Sequence, residues 1–202
     1  EVKTDGAPPQ IQTGTPNNTN TIVLPARLAD GSLNPNDPFA GQGYDALINY
    51  AFGDVRGGSD LKNHVARMVA GIRGMFGDWN WNADVNLNHA WLHTANFGFL
   101  NYAQLLSDIN DGSYSFVNPA SNSPGVIAAL APPLVKTSTT DMDSLDIGVT
   151  RDLWQLPGGP LGLALGGQWR HEAQDDPDLN PNLAAQGLGI AHTIGSRNVA
   201  AV

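Results

Sequence analysis

The sequence predicts an all-β chain built from long antiparallel strands, and three observations predict it. Residues 79–91, WNWNADVNLNHAW, alternate apolar and polar side chains along the segment, which is the period of a strand with one wet face and one apolar face. Very short candidate turns, at 77–78 and 156–160, alternate with very long connections. The predicted strands also exceed the roughly five or six residues usual in soluble proteins.

The composition excludes several other classes of protein. The 202 residues carry a formal net charge of −9 and contain no cysteine. A nucleic-acid partner is therefore not expected, and neither are disulfides or thiolate metal sites. No apolar stretch approaches the roughly 18 residues of a membrane-spanning helix. A membrane β-barrel stays open, because it shows only short alternating segments.

The first half of the chain is predicted to pass from a loop into strands. Residues 1–43 are rich in Pro, Asn, Thr and Gly, and they predict a long loop with at most short strands. Residues 44–99 are predicted to form strands, first in YDALINYAFGDV (44–55) and then in HVARMVAGIRGMF, where apolar residues recur at every second position. The GD pair at 77–78 predicts a hairpin turn. The strand after it is expected to reach about residue 97 or 99.

The second half is predicted to place one hairpin between two long loops. Residues 100–140 interrupt the alternation and predict a loop with one short helix in YAQLLSDINDG, for which Gly112 is the candidate C-cap. Residues 141–173 predict a hairpin through the turn LPGGP, residues 174–194 a second loop, and residues 195–202 a strand truncated at the chain end. The first strand of this hairpin has its apolar residues at Leu145, Ile147, Val149 and Leu153. The whole chain amounts to about five to seven long strands.

The apolar neighbour of these strands decides the fold class. In a soluble sandwich the inner face is mainly Val, Ile, Leu and Phe, whereas here small residues mix with Trp at the ends of the apolar face. The path from Trp81 to Trp91 is roughly 33 Å along a strand. At a tilt of about 40° it projects to roughly 25 Å, the height of the lipid-facing band of an outer-membrane barrel. The sequence therefore predicts part of an antiparallel transmembrane β-barrel with long extracellular loops, and a soluble β-sandwich or β-solenoid is the alternative.

The barrel interpretation assigns roles to three sets of residues. The predicted membrane-interface aromatics are Trp79, Trp81, Trp91 and Trp169. The predicted lipid-facing residues are Val85, Leu87, Leu163 and Leu165. The predicted lumen-facing residues are Asn80, Asn82, Asp84, Asn86, Asn88, Arg67, Arg73, Gln168, Arg170 and Glu172. Contact with a plug domain or hydration of the lumen is the default role of this last set, and substrate-binding residues are not identified.

Motifs that could carry chemistry are weak. His89 and His93 have a zinc-binding spacing on a helix, but on a strand they lie about 13 Å apart. HEAQD at 171–175 has Asp175 where a zinc protease needs its second His, and DDPDLNPN at 175–182 lacks the Gly and Glu of a calcium loop. Loop aromatics could stack on a ligand, although packing within the loop is favoured; they are Tyr102, Tyr114 and Phe116. We therefore predict no enzyme, no cofactor and no metal.

Several stretches resemble the barrel of TonB-dependent outer-membrane receptors. They are NPNDPF, VAGIRGMFGDWNWNADVNLNHAW, YAQLLSDINDGSYSF, SLDIGVTRDLWQLPGGPLGLALGGQWRHE and GSRNVAAV. The stretch LPGGPLGLALGGQWRHE is the most specific, because its order, turn and following strand match the family. Together the pieces cover most of residues 34–202.

The resemblance implies an internal fragment of a larger barrel. Family members have a 22-stranded barrel, a plug domain and a TonB box, and this chain shows no plug signature. The implied partners are outer-membrane lipid, the plug domain, the remaining barrel strands and the TonB complex. The implied activity is TonB-energised uptake of a scarce ligand (siderophore, vitamin or oligosaccharide) across the outer membrane of a Gram-negative bacterium. The alternatives are a soluble secreted β-sheet protein that binds glycans and a passive porin.

Overall fold

The protein is mainly antiparallel β-structure arranged in two compact units. The computed structural model describes residues 1–11, 22–182, 184–185, 188 and 191–202. The first unit comprises residues 1–61, 94–136 and 178–191, and the second comprises residues 62–93, 137–177 and 192–202.

Ten strands and two α-helices follow one another along the described chain. They are β1 (Val2–Gly6), β2 (Gln10–Ile11), β3 (Ile22–Leu24), β4 (Ala46–Ile48), β5 (Tyr50–Ala51), β6 (Gly57–Phe76), β7 (Trp79–Phe97), α1 (Tyr102–Asp111), α2 (Pro124–Leu130), β8 (Leu134–Leu156), β9 (Gly159–Asp176) and β10 (Thr193–Ala201). Short 3₁₀ turns occur at Ala40–Gln42 and Pro119–Ser121.

One sheet contains the long strands. Its order is β1-β6-β7-β8-β9-β10, and within the described residues it does not close on itself. Strands β6 to β9 have 20, 19, 23 and 18 residues, about three times the usual length. Tight turns join β6 to β7 at Gly77–Asp78 and β8 to β9 at 157–158. Gly77 has φ 60°, a value that glycine adopts without strain.

The first unit has a compact apolar core. Strand β3 pairs with β4 and strand β2 with β5, and the helices supply further core residues. Helix α1 begins at Asn101, whose side chain accepts a hydrogen bond from the backbone N–H of Gln104, and it ends at Gly112 with φ 74°. The buried core residues are Ile22, Leu24, Ala46, Phe52, Val55, Leu100, Leu105, Ile109, Tyr114, Phe116 and Leu130.

The structure differs from the predicted boundaries in three places. The segment 44–55 contains two short strands in separate two-stranded sheets rather than one long strand. Strand β8 begins at Leu134, inside the predicted loop 100–140, and helix α2 in that loop was not predicted. Strand β9 extends to Asp176 and β10 begins at Thr193, so the second long loop is shorter than predicted. Thr and Ser side chains dominate the start of β8 and hide the alternation there.

Candidate functional site

The candidate site is the sheet of the second unit, whose two faces carry different side chains. The antiparallel register pairs Leu145 with Trp169 and Val149 with Leu165, and it pairs Ala200 with Trp169. Directly opposed residues in an antiparallel pair project to the same side. The same face therefore includes the alternate residues of these strands, which are Ile147, Leu163 and Gly167.

Strand β7 contributes its apolar residues to this same face. The His89 Nδ1 atom lies 2.5 Å from Asp141 Oδ1, and the Arg151 guanidinium lies 5.6 Å from the centre of the Trp79 ring. Asp141 and Arg151 are four and six residues from Leu145 along β8, so all three project to the same side of the sheet. Their contacts therefore place the odd-numbered residues of β7 on that side as well. The predicted lipid-facing residues of both hairpins, Val85, Leu87, Leu163 and Leu165, consequently share one face, which we call the apolar face.

Large side chains of the apolar face are accessible to solvent. Val85 is 37% exposed, Leu87 39%, Leu165 58% and Trp169 47%, while Leu163 is half-buried. In the first unit, by contrast, residues such as Phe52 and Leu105 are fully buried. A contiguous exposed apolar surface marks a protein-binding or membrane-binding site.

The opposite side of the sheet, which we call the polar face, holds a series of hydrogen-bonded side chains. The Asn82 amide donates to Asp84 Oδ2 at 2.8 Å, Arg67 Nε donates to Asn86 Oδ1 at 2.8 Å, and Gln168 donates to Asp146 Oδ1 at 2.6 Å. Of the other predicted lumen-facing residues, Asn80 and Asn88 alternate with the apolar residues of β7, and Arg73 lies on the exposed stretch of β6.

An ion-pair cluster lies farther along the polar face. Glu172 Oε2 accepts a hydrogen bond from Arg197 Nε at 2.5 Å, and Glu172 Oε1 forms an ion pair with Arg170, whose Nε lies 2.8 Å away. Glu172 and Arg197 line a groove of about 410 Å³ together with Thr140, Gln174 and Ser196. The groove therefore offers hydroxyl, amide and charged groups beside the apolar side chains of Met142 and Ala173.

Two glycines make room for the polar side chains. A Cβ atom on Gly71 would lie 2.0 Å from Asp84 Oδ1, and one on Gly148 would lie 2.6 Å from Asn82 Oδ1. Asp84 and Asn82 therefore lie over backbone of the neighbouring strands. The alternating pattern of the sequence does not indicate that these glycines accommodate the side chains beside them.

Trp79 and Trp81 lie near the turn between β6 and β7, whereas Trp91 and Trp169 lie more than halfway along β7 and β9 from their turns. The Trp91 ring stacks on His64, with 5.4 Å between ring centres, and Trp169 stacks on His171 at 6.3 Å. The Trp81 ring covers the backbone of Gly74, since a Cβ atom added to Gly74 would lie 2.9 Å from it. Trp79 is the first residue after the turn. Trp154, 67% exposed, was not singled out from the sequence, because alternation assigned Leu153 to the apolar face instead.

Residues considered for other chemistry have ordinary structural contacts. His89 contacts Asp141 while His93 contacts Thr137, at 3.2 Å, and no group of three or more metal-binding side chains occurs among the described residues. Asn180 in the DDPDLNPN segment is buried, and its amide donates to the carbonyl of Ala185. Tyr114 and Phe116 are buried, and Tyr102 packs against the same core.

Comparison with known proteins gives no family assignment. The chain matches no family model, no curated protein and no solved structure. In the part of the chain that the structure describes, no helix is long and apolar enough to cross a membrane. The two faces of the sheet are therefore the feature of this chain that indicates a function.

Proposed function

We propose that this chain is part of the barrel of a TonB-dependent outer-membrane receptor, which takes up a scarce ligand with energy delivered through TonB. In this proposal the apolar face of the second unit contacts outer-membrane lipid and the polar face borders the interior of a larger barrel. The sequence resemblance described above supplies the family. The two-faced sheet supplies the physical support.

The observation that carries the proposal is the exposure of the apolar face across three strands. Val85 and Leu87 of β7, Leu145 of β8 and Leu165 of β9 are each more than a third exposed. Exposing such side chains to water costs about 25 cal/mol per Å² of apolar surface, whereas hydrocarbon solvates them. Lipid chains can cover a long apolar face without requiring that the face have a particular shape.

The connections between strands support the same orientation. Two-residue turns join β6 to β7 and β8 to β9, whereas 36 residues separate Phe97 from Leu134 and 16 separate Asp176 from Thr193. Outer-membrane barrels have short periplasmic turns and long extracellular loops. The connections from β7 to β8 and from β9 to β10 are then extracellular, which is the side where a receptor meets its ligand.

An open sheet in lipid requires further strands. Unpaired backbone groups in hydrocarbon cost several kcal/mol each, and β10 and most of β6 lie at the edges of this sheet. In the proposal, the rest of the gene product supplies the strands that pair with these edges. The experiments below therefore use the complete gene product that carries these 202 residues.

The membrane part of the proposal is tested with adjacent cysteine variants. The segment has no cysteine, so Leu87→Cys and Asn86→Cys can be labelled with one fluorophore each after any cysteine elsewhere is replaced by serine. We expect lipid-attached nitroxide to quench the label at position 87 and not that at 86, with the same contrast between Leu165→Cys and Ala164→Cys. A freely soluble product whose labels are all insensitive to lipid quenchers is the outcome that the soluble glycan-binding alternative requires.

The transport part is tested by comparing two deletion strains. One strain lacks the gene product and the other lacks TonB, and both are tested for uptake of radiolabelled ferric siderophores, corrinoids and oligosaccharides. We expect one ligand class whose uptake is lost in both strains. Uptake that is lost without the gene product but is normal without TonB would instead identify a passive porin.

A further inference from the structure

The turn end of the apolar face combines aromatic side chains with one ion pair. Arg151 pairs with Leu163 in the sheet and therefore lies on the apolar face. Its Nη2 donates to Asp78 Oδ2 at 3.0 Å, and its guanidinium lies 5.6 Å from the centre of the Trp79 ring. Asp78 belongs to the turn between β6 and β7. A cation, an anion and an indole ring therefore lie close together at this turn.

A β-bulge adds Trp154 to this group. Asp152 pairs with Gly162 while Trp154 pairs with Leu161, so Leu153 is the inserted residue. In an uninterrupted register Leu153 would oppose Leu161 and Trp154 would project to the polar face. The bulge instead places Trp154 on the side of Leu161, which is also exposed. A bulge changes the side of the sheet to which the following side chain projects. Here that side chain is the largely exposed indole of Trp154.

We propose that this turn end binds the head groups of zwitterionic phospholipids in the periplasm-facing leaflet; the proposal rests on the membrane orientation proposed above. The guanidinium of Arg151 takes the lipid phosphate and the carboxylate of Asp78 takes the lipid ammonium group. Trp79 and Trp154 lie at the boundary between head groups and acyl chains. The charge pattern fits a lipid that carries one phosphate and one primary amine, such as phosphatidylethanolamine.

Two physical arguments favour this location. A charged residue on the lipid-facing side destabilises a barrel by about 2–4 kcal/mol at the bilayer midplane and by about 0–1 kcal/mol near the interface, so Arg151 belongs at the interface. A guanidinium has five N–H donors in a planar fork. It can therefore contact a phosphate while one N–H remains on Asp78.

The position of Trp154 is tested by labelling Trp154→Cys and its neighbour Gln155→Cys in liposomes. We expect shallow nitroxide lipids, labelled near the head group, to quench the label at 154 more strongly than deep ones, and neither to quench the label at 155. Quenching at 155 and not at 154 would overturn the bulge argument. If positions 86 and 87 still show the contrast described above, this inference fails alone; if they do not, the proposed function fails with it.

Lipid retention tests the ion pair. The purified complete gene product, reconstituted in phosphatidylethanolamine, phosphatidylglycerol or phosphatidylcholine, is returned to detergent and its bound lipid is measured by native mass spectrometry. We expect Arg151→Gln and Asp78→Asn to lower retained phosphatidylethanolamine about threefold, the scale of one exposed charge contact, and Arg151→Lys to lower it less. Equal retention by the variants and the wild type, or equal preference for phosphatidylglycerol, would contradict the proposal.

The chain offers a matched control for these variants. Arg56 pairs with Asp60 at 2.6 Å and lies 4.1 Å from the centre of the Phe97 ring, so it repeats the combination of cation, anion and aromatic ring within the first unit. Arg56→Gln should leave phosphatidylethanolamine retention unchanged. A loss equal to that of Arg151→Gln would show that the effect is not specific to the turn end.

Discussion

His89 and Asp141 join strands β7 and β8 through a contact of 2.5 Å between imidazole Nδ1 and carboxylate Oδ1. Four residues away on β7, His93 makes a longer contact of 3.2 Å with Thr137 on β8. Both pairs lie on the apolar face, toward the loop end of these strands. Side-chain pairs across antiparallel strands help to fix register, and register decides which residues face each side of the sheet.

The His89–Asp141 pair is expected to contribute little to stability. Both side chains are nearly half exposed, and exposed pairs contribute about 0.2–1 kcal/mol in double-mutant cycles. We predict a coupling free energy in that range for His89→Ala and Asp141→Ala, measured by urea unfolding of the reconstituted gene product. The longer His93–Thr137 pair serves as the comparison and should show a smaller coupling. Zero coupling for the first pair would show that the short contact does not stabilise the sheet.

Asn36 is predicted to be a sensitive position in the first unit. Its buried side chain donates to the Tyr114 carbonyl at 3.0 Å and accepts from the Phe116 N–H at 2.8 Å. Asn36→Ala leaves both backbone groups without this partner, so we expect a loss of about 2–4 kcal/mol, measured as faster hydrogen exchange in α1 and around residue 116. The exposed Asn118→Ala is the control, and an equal effect of the two variants would contradict this account.

Gly58 is predicted to control the pairing of β1 with β6. Its φ is 128°, and an added Cβ would lie 2.0 Å from the Thr4 carbonyl oxygen. We expect Gly58→Ala to destabilise this pairing by about 1–3 kcal/mol, seen as lost exchange protection of the β1 amides. Gly53 has open space around it, so Gly53→Ala should leave protection unchanged. Unaltered β1 protection in Gly58→Ala would mean that the backbone there can relax at little cost.

The strands around the turns could be predicted because one physical signal dominates them. Side chains of β7 alternate from Trp79 onward, and Gly77 takes the positive φ that its hairpin turn requires. The same rule failed at Trp154, because a bulge adds one residue and reverses the side on which later side chains project. No local feature of DLWQL announces that insertion.

In the first unit, helix α1 and its Gly112 C-cap were predicted correctly from the sequence, but the rest of the core could not be predicted because it has no period. Phe52, Leu105, Tyr114 and Leu130 come from a strand end, two helices and a loop. In the sequence, most of these residues are single apolar positions within polar segments, and no local pattern connects one with another. Their burial depends on long-range contacts, such as those of Asn36 with Tyr114 and Phe116, which local patterns do not reveal.

Tyr114 gives the first unit a predicted dependence on alkaline pH. Its hydroxyl donates to Asp54 Oδ1 at 2.7 Å, and burial, followed by that hydrogen bond, raises the pKa of Tyr114 well above its ordinary value. Because the folded state holds the phenol proton more tightly than the unfolded state, this stabilisation is complete below about pH 10 and is lost as the pH rises further, by about 1.4 kcal/mol per pH unit. We therefore expect hydrogen exchange in α1 to accelerate above pH 10.

Tyr114→Phe removes the titrating group. This variant should be less stable than the wild type at pH 8, and its stability should depend less on pH above pH 10. Tyr44→Phe, at an exposed position, should behave like the wild type. The same steep dependence in Tyr114→Phe would assign the alkaline transition to another group.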